Sequence, residues 1–443
     1  MEYLIKYKFQ ILFFLILTGN LFLFYRNFKK IFRNINLGKK NVSSDNKKER
    51  WKRVLFIAFG QSKMFDKPLV AILHLIVYLG FIIINIELIE IIIDGLFGTH
   101  RVLSFLGSFY NFLIASFEIL AFLVLICVVI FLIRRNIIKV KRFLSSEMKG
   151  WPTLDGNLIL IFEILLMLAF LTMNAADSIL QVYYPEKYIN VGLFPISNFL
   201  IVPLIENLSS QTLIFVERFC WWFHIIGILG FLNYLAISKH LHILLAFPST
   251  YYSKLSPNGQ FNNMSSVTKE VEIMLNPNTD QFSQSSPEQI ETFGAKDVKD
   301  LNWLQLLNSY SCTECGRCTA ECPANVTGKK LSPRKIMMDV RDRLEEVGKG
   351  IDKNGSDYKD GKTLLNDYIT HEELWACTSC NACVEACPIN IDPLSIIMDL
   401  RRYAVMEESS APTDLNTVFS NIENNGAPWP FPSSDRLKWT EDE

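Results

Sequence analysis

Eight of the ten cysteines fall into two copies of one pattern, Cys312-x2-Cys315-x2-Cys318-x3-Cys322-Pro323 and Cys377-x2-Cys380-x2-Cys383-x3-Cys387-Pro388. An iron–sulfur cube needs four thiolates converging on one centre. Where the last cysteine precedes proline, three closely spaced cysteines take three corners and the fourth reaches across to the other cube. The spacing predicts one [4Fe–4S] cluster on Cys312, Cys315, Cys318 and Cys387, and another on Cys377, Cys380, Cys383 and Cys322. CxxC pairs also build zinc sites, but a third cysteine at equal spacing, a fourth before proline and a full duplicate favour cubes. Disulfides would require an oxidising compartment, which the charge pattern below argues against.

Half of the 443 residues are hydrophobic, net charge is −1, and the apolar content is concentrated in the first 247 residues. A bilayer span needs about 20 apolar residues. Five segments qualify, at 8–25, 68–93, 109–133, 157–181 and 213–247. The first lacks a small-x-small cleavage site and precedes a basic stretch, so it reads as a retained anchor rather than a secretory signal. The remainder has ordinary soluble composition.

Charge between the spans sets their orientation. Residues 26–63 carry twelve Lys and Arg against Asp45 and Glu49, and residues 134–149 carry six against Glu147. The other two loops hold one basic residue each, Arg101 and Lys187. Basic loops stay cytoplasmic. The expected topology has the N-terminus outside and the cysteine domain in the cytoplasm, where thiols stay reduced. Cys127 and Cys220 lie within apolar spans and read as packing residues.

Polar side chains inside membrane helices are costly and usually functional. The second span carries His74; the fifth carries His224 and, further on, Ser238-Lys239-His240-Leu241-His242. On one continuous helix His224 and His242, eighteen residues apart, share a face at depths about 27 Å apart, and His240 points to the opposite side. His74 and His242 fall at the same cytoplasmic depth, which predicts a b-type haem between them. His224 is a candidate for a second haem, for which Met173 is the available, weaker partner. Helix-to-helix hydrogen bonding is the plainer alternative for these histidines. Glu87, Glu90, Glu118 and Asp177 fall toward the outer span ends. They read first as helix-end residues facing interfacial water, and second as carriers of protons for quinone chemistry.

The domain plan is an anchor with a basic linker (1–66), four further spans of cytochrome b type (67–247), a polar linker (248–298), a two-cluster domain (299–410) and a tail (411–443). The linker is rich in Ser, Asn, Gln, Pro and Thr, including Asn276-Pro277-Asn278 and Ser283 to Pro287. Beyond it the signals are helical: Ser332-Pro333 opens one helix and Pro393 another, and strand signals are absent. The fold expected is all-α, a five-helix membrane bundle followed by a helical dicluster ferredoxin domain.

The stretches Glu291-Thr292-Phe293-Gly294-Ala295, Ser311-Cys312-Thr313-Glu314-Cys315-Gly316-Arg317-Cys318, Lys330-Leu331-Ser332-Pro333-Arg334, Glu373 to Cys380 and Arg401-Arg402-Tyr403 resemble the heterodisulfide-reductase-related membrane iron–sulfur oxidoreductases. Gly60-Gln61, His74 with Gly80-Phe81, and Trp221-Trp222 through His242 are similar to the gamma subunit of respiratory nitrate reductase, a five-helix cytochrome b. The resemblance implies passage of electrons between a soluble donor, often electron-transfer flavoprotein, and menaquinone in a bacterial plasma membrane. Two departures stand out. Longer members continue into cysteine-rich CCG modules, whereas this chain has no cysteine after Cys387; a separate CCG-domain subunit is therefore expected, with Trp429, Pro430 and Trp439 of the tail as docking anchors. The position ten residues past His74 is Ile84 rather than histidine.

The function expected is a quinone-linked electron-transfer subunit of a respiratory oxidoreductase, not catalytically complete alone. Two [4Fe–4S] clusters and b-type haem would carry the electrons. The alternative is the electron-input subunit of a heterodisulfide or thiol reductase-type complex; a non-catalytic redox sensor or scaffold is the third class. No phosphate loop, nucleotide fingerprint or nucleophile–base pair stands out, and no nucleic-acid partner is expected.

Overall fold

The computed structural model describes residues 6–40, 45–257, 259–275 and 292–441. Five long helices form the first half: α1 Lys8–Ile35, α2 Pro68–Phe97, α3 Ser108–Asn136, α4 Trp151–Tyr183 and α5 Ser210–Tyr234. Even the 25 residues of α5 reach about 38 Å at 1.5 Å per residue, more than the roughly 30 Å of a hydrocarbon core. Their outward faces carry large apolar side chains (Phe9, Phe22, Phe112 and Phe215 among them), as contact with lipid requires. Proline opens α2 and α4 within the first turn, where its missing N–H costs nothing. Gly98, at φ +71°, closes α2. Small residues allow the helices to close on one another: a Cβ on Gly80 of α2 would run into Val124 of α3.

The second half is also helical. It comprises α6 His242–Tyr252, a helix at Ser265–Leu275, α7 Trp303–Ser311, α8 Pro333–Asn354, α9 Pro393–Met406 and α10 Thr413–Asn425. Among the described residues β-structure is limited to isolated bridges, Lys39 with Asn302 and Leu365 with Ile369. The helix starts expected at Ser332-Pro333 and Pro393 are present. Ser332 accepts from the Lys335 N–H at 3.3 Å, and Asp392 from the Ser395 N–H at 2.9 Å, which supplies donors at helix N-termini with partners.

The polar stretch after α5 is more ordered than its composition suggests. Ser249, Thr250 and Ser253 are buried, Ser249 Oγ lies 2.7 Å from Asn308 Oδ1 of α7, and Ser265–Leu275 is helical. Asn276-Pro277-Asn278 and Ser283 to Pro287 lie outside the described residues. Basic residues between α1 and α2 also have a structural role. Arg50 is buried and donates to the carbonyls of Tyr251 at 3.0 Å and Ser253 at 3.2 Å. At the end of α1, Asn34 donates to the Tyr310 hydroxyl at 3.0 Å, and Lys30 pairs with Asp352 at 2.8 Å. Ile31 and Ile35 join one apolar core with Leu301, Leu306, Val340 and Leu344. The cysteine domain is therefore packed onto one end of the bundle, here called proximal; the other end is distal.

The expected continuous helix over 213–247 is not what forms. Span five ends in a 3-10 turn at Leu235–Ile237, and Ser238 is extended at φ −113°, ψ 149°. A second 3-10 turn then leads into α6. The break is held by Asp155 of α4, which accepts from Tyr234 Oη at 2.5 Å, Ser238 Oγ at 2.8 Å and the Lys239 N–H at 3.1 Å. Ser238 Oγ in turn accepts from the His240 N–H at 3.1 Å. A buried carboxylate with three donors outweighs the modest gain of continuing the helix.

Candidate redox site: cysteine loops over a histidine-lined cavity

The two cysteine motifs fold alike. Positive φ occurs two and four residues after each leading cysteine, at Glu314 (+56°) and Gly316 (+72°), and at Ser379 (+56°) and Asn381 (+62°). These left-handed positions curl each loop around its own centre, and a short helix follows in each case, Arg317–Ala320 and Ala382–Glu385. Proline then starts Pro323–Val326 directly after Cys322. The electrostatic neighbours cross between motifs. Cys312 and Cys318 both sense Cys315 and Cys387, whereas Cys377 and Cys383 both sense Cys322 and Cys380. Backbone N–H groups point at sulfur, from Ser379 to Cys377 at 3.4 Å and from Ile391 to Cys387 at 3.3 Å. Burial, reinforced by neighbouring thiolates, pushes Cys312 up to about 12 and Cys387 up to about 11. Such thiols ionise only when a cationic centre compensates them. Among the described residues no three His, Cys, Asp or Glu side chains are gathered as around a single ion.

Below the first loop lies a cavity of about 780 Å³ that runs from Cys312, Cys315 and Cys387 into the bundle, past His74, His240 and His242, to His224. Three of these rings have Nδ1 committed to a protein oxygen: His74 to Gln61 Oε1 at 3.1 Å, His224 to the Leu166 carbonyl at 3.2 Å and His242 to the Lys239 carbonyl at 3.2 Å. In the tautomer these bonds select, Nε2 keeps its lone pair. Because the helix breaks at Ser238, the face argument for His240 fails. His240 does not point to the opposite side; its ring lies 5.4 Å from that of His242 and 5.3 Å from that of Phe231, inside the same cavity. Met173 lines a different, distal cavity.

The proximal wall is basic. Arg134, Arg135, Arg142, Arg317 and Arg334 all line it, and Nε of Arg135, Arg142 and Arg334 is buried without a hydrogen-bond partner. Arg334 is fully buried and pairs with Glu147 at 2.7 Å. Lys239, between the bundle and the first cysteine loop, bonds to Glu314, which also pairs with Arg341 at 2.8 Å. Burial opposes ionisation of Glu314, but these two cations hold its carboxyl below the ordinary range. The motif residue Glu314 thus fastens the loop to the helix break. Sequence reading passed over this bond, Asp155, the arginine wall and Glu163, an acid within an apolar span that lines the cavity. For Glu163 the signal was available, since an intramembrane acid is a functional candidate by default.

At the distal end Glu87, Glu90, Glu118 and Asp177 are almost fully buried, which overturns their reading as residues facing interfacial water. Arg101 donates to Asp177 at 2.8 Å and to Asn174 at 3.0 Å. Tyr110 Oη donates to Glu90 at 2.8 Å. Glu118 accepts from the N–H groups of Ile196 at 3.0 Å and Ser197 at 3.1 Å. His100, from the α2–α3 loop, adds a contact to Asp177 at 3.2 Å. A second cavity of about 780 Å³ opens beside this network, walled by Phe13, Ile91, Met173 and Trp221.

Five helices of membrane-spanning length capped by a duplicated cysteine loop are the plan of a membrane protein with an iron–sulfur domain. Residues 311–391 match the 4Fe-4S dicluster domain family. The chain is 31% identical to a probable iron-sulfur-binding oxidoreductase, FadF, of Bacillus subtilis, across 97% of its own length and 61% of that protein. It is 26% identical to the EtfAB:quinone oxidoreductase of Syntrophomonas wolfei, across 88% of its length and 54% of that protein. Over 102 residues it is 36% identical to one component of the ferredoxin/F420H2-dependent CoB-CoM heterodisulfide reductase of Methanosarcina acetivorans, 23% of this chain and 49% of that one. It thus spans between half and two thirds of the two longer relatives. No solved structure matches. The two longer relatives are named as oxidoreductases.

Proposed function

We propose that this chain is the membrane electron-transfer subunit of a quinone-linked oxidoreductase. It would stand between a cytoplasmic donor, electron-transfer flavoprotein acting through a CCG-domain partner, and menaquinone. The observation that carries the reading is the single cavity joining the first cysteine loop to the histidines of the bundle. Cys312, Cys315, Cys318 and Cys387 would hold one [4Fe–4S] cluster, and Cys377, Cys380, Cys383 and Cys322 the other, as their crossed electrostatic neighbours support.

His74 and His242 would hold a b-type haem. Their Nδ1 atoms are engaged and their Nε2 atoms free, and the unpartnered guanidinium nitrogens of the proximal wall suit the carboxylates such a group carries. When bound, the clusters and haem supply a one-electron relay whose potentials follow from ligands, burial and hydrogen bonds to sulfur. His224 remains the candidate for a second haem, without a histidine opposite it at position 84. The quinone would enter the distal cavity, where Phe13, Ile91, Met173 and Trp221 offer an apolar wall to a flat ring beside a dense set of polar and charged side chains. Basic residues concentrated at the proximal end favour a cytoplasmic cysteine domain and an outside N-terminus in a bacterial plasma membrane.

A reduced-minus-oxidised spectrum with haem and iron quantitation tests the cofactors. Reduction of a menaquinone analogue by electron-transfer flavoprotein, with and without the CCG-domain partner, tests the role. The likeness to the heterodisulfide reductase component favours a second reading, electron input to a thiol reductase-type complex; turnover of a disulfide substrate instead of quinone would select it.

A further inference from the structure

Glu87 stands apart from the other distal acids. Glu90, Glu118 and Asp177 each accept from two or more donors. Glu87 is 3% exposed, and its Oε2 is buried with no hydrogen-bond partner. It lines both the distal cavity and the histidine-lined cavity, and so sits where the two adjoin. The charged groups around it are Glu90 on its own helix, Arg101 of the following loop, Glu118 of α3 and Asp177 of α4. Helix α5 adds His224 on the inner cavity, and Glu217 and Arg218, bonded to each other, on the distal one; α1 adds Gln10, with Lys6 just before it. The distal cavity is rimmed by Phe9, Phe215 and Phe219, which are 60%, 67% and 57% exposed toward the lipid side of the bundle. A ligand can therefore enter from lipid and meet, at the cavity floor, the one carboxyl that is unengaged among the described residues.

We infer that Glu87 is the proton-transferring residue of the quinone site, giving its carboxyl proton to a quinone oxygen in the distal cavity. This rests on the quinone-linked reading above. The balance is simple. Two electrons, delivered singly by the bound iron centres, and two protons convert the two quinone carbonyls into two hydroxyls. One O–H bond forms as the Glu87 O–H breaks, the other oxygen takes its proton from water at the distal end, and the carboxylate regains its own proton from the same water. Arg101, engaged by Asp177, Asn174 and Tyr110, holds the surrounding acids in place rather than the substrate.

The test uses the full chain in lipid nanodiscs, comparing wild type, Glu87→Gln and Glu87→Asp. In stopped flow, menadiol reduces the b-type haem only by giving up protons, whereas dithionite needs no proton acceptor. General acid–base groups contribute on the order of a hundredfold or more, so Glu87→Gln should slow the menadiol reaction roughly a hundredfold and lose its pH dependence, with the dithionite rate unchanged. Glu87→Asp should recover part of the rate. Redox-induced infrared difference spectra should show a carboxyl band in wild type that Glu87→Gln lacks, whichever iron centre is reduced. Equal menadiol rates, equal infrared spectra, or an equal loss of the dithionite reaction would overturn the assignment. Wild-type haem that responds to dithionite and never to menadiol would instead remove the quinone reading itself.

Discussion

The contact between Glu314 and its two cations gives a prediction whose size can be worked out. Glu314 is 2% exposed, and the side chains of Lys239 and Arg341 are 11% and 15% exposed. Glu314→Gln strands both cations. Lys239 keeps the Pro152 carbonyl at 2.6 Å and Asp155 at 3.9 Å, and Arg341 keeps Asp342 at 3.3 Å. Removing one partner of a buried pair costs about 3 to 5 kcal/mol; the remaining acids favour the lower end, about 3 kcal/mol, or roughly a hundredfold in a local opening equilibrium. Lys239→Met leaves the Glu314–Arg341 pair at 2.8 Å, and Asp155 keeps three other donors; about 1 kcal/mol should be lost, the scale of one hydrogen bond. Hydrogen exchange of the peptide over 312–318, read beside the rate of iron loss to a chelator, reports that opening. Because Glu314 is held below its unfolded value, its contribution is present at neutral pH and disappears as pH falls through that lowered value. Wild type should therefore converge on Glu314→Gln in acid. The reasoning is refuted if Lys239→Met opens the loop more than Glu314→Gln, or if both stay within twofold of wild type.

The crossed cysteine assignment predicts that Cys322→Ser damages the cluster of Cys377, Cys380 and Cys383, read by paramagnetic resonance; loss confined to the cluster of Cys312, Cys315 and Cys318 would refute it. His74→Ala and His242→Ala should each abolish the same b-type haem band. His240→Ala, now placed in the same cavity, should shift that band or its potential without abolishing it, and a bleached His240→Ala beside an intact His242→Ala would exchange the two roles. A reporter active only outside the cytoplasm, fused after Glu443, should be silent if the basic loops hold the proximal end inside. Deleting residues 411–443, with exposed Trp429 and Trp439, should weaken copurification with a CCG-domain subunit; unchanged recovery would free the tail of that role.

What was legible in the sequence, and what was not, divides along physical lines. The cysteine motifs specify their own loop, since left-handed residues at fixed offsets and a proline after the last cysteine are local requirements. The spans were legible because lipid demands long apolar helices whatever they pack against. The histidine geometry was not. It depends on Asp155, 83 residues before Ser238 in the chain, and no helical periodicity reveals that a distant carboxylate will end the helix. The distal acids failed for a related reason. Position along a span places a residue near the membrane surface, but burial depends on whether Arg101, Tyr110 and Ser197 arrive from other segments to receive it. Glu90, Glu118 and Asp177 found such partners and became structure. Glu87, beside that network and just as buried, found none for its Oε2. A carboxyl removed from water is expensive to leave unbonded, so a chain that keeps one between two cavities is keeping a place for a proton.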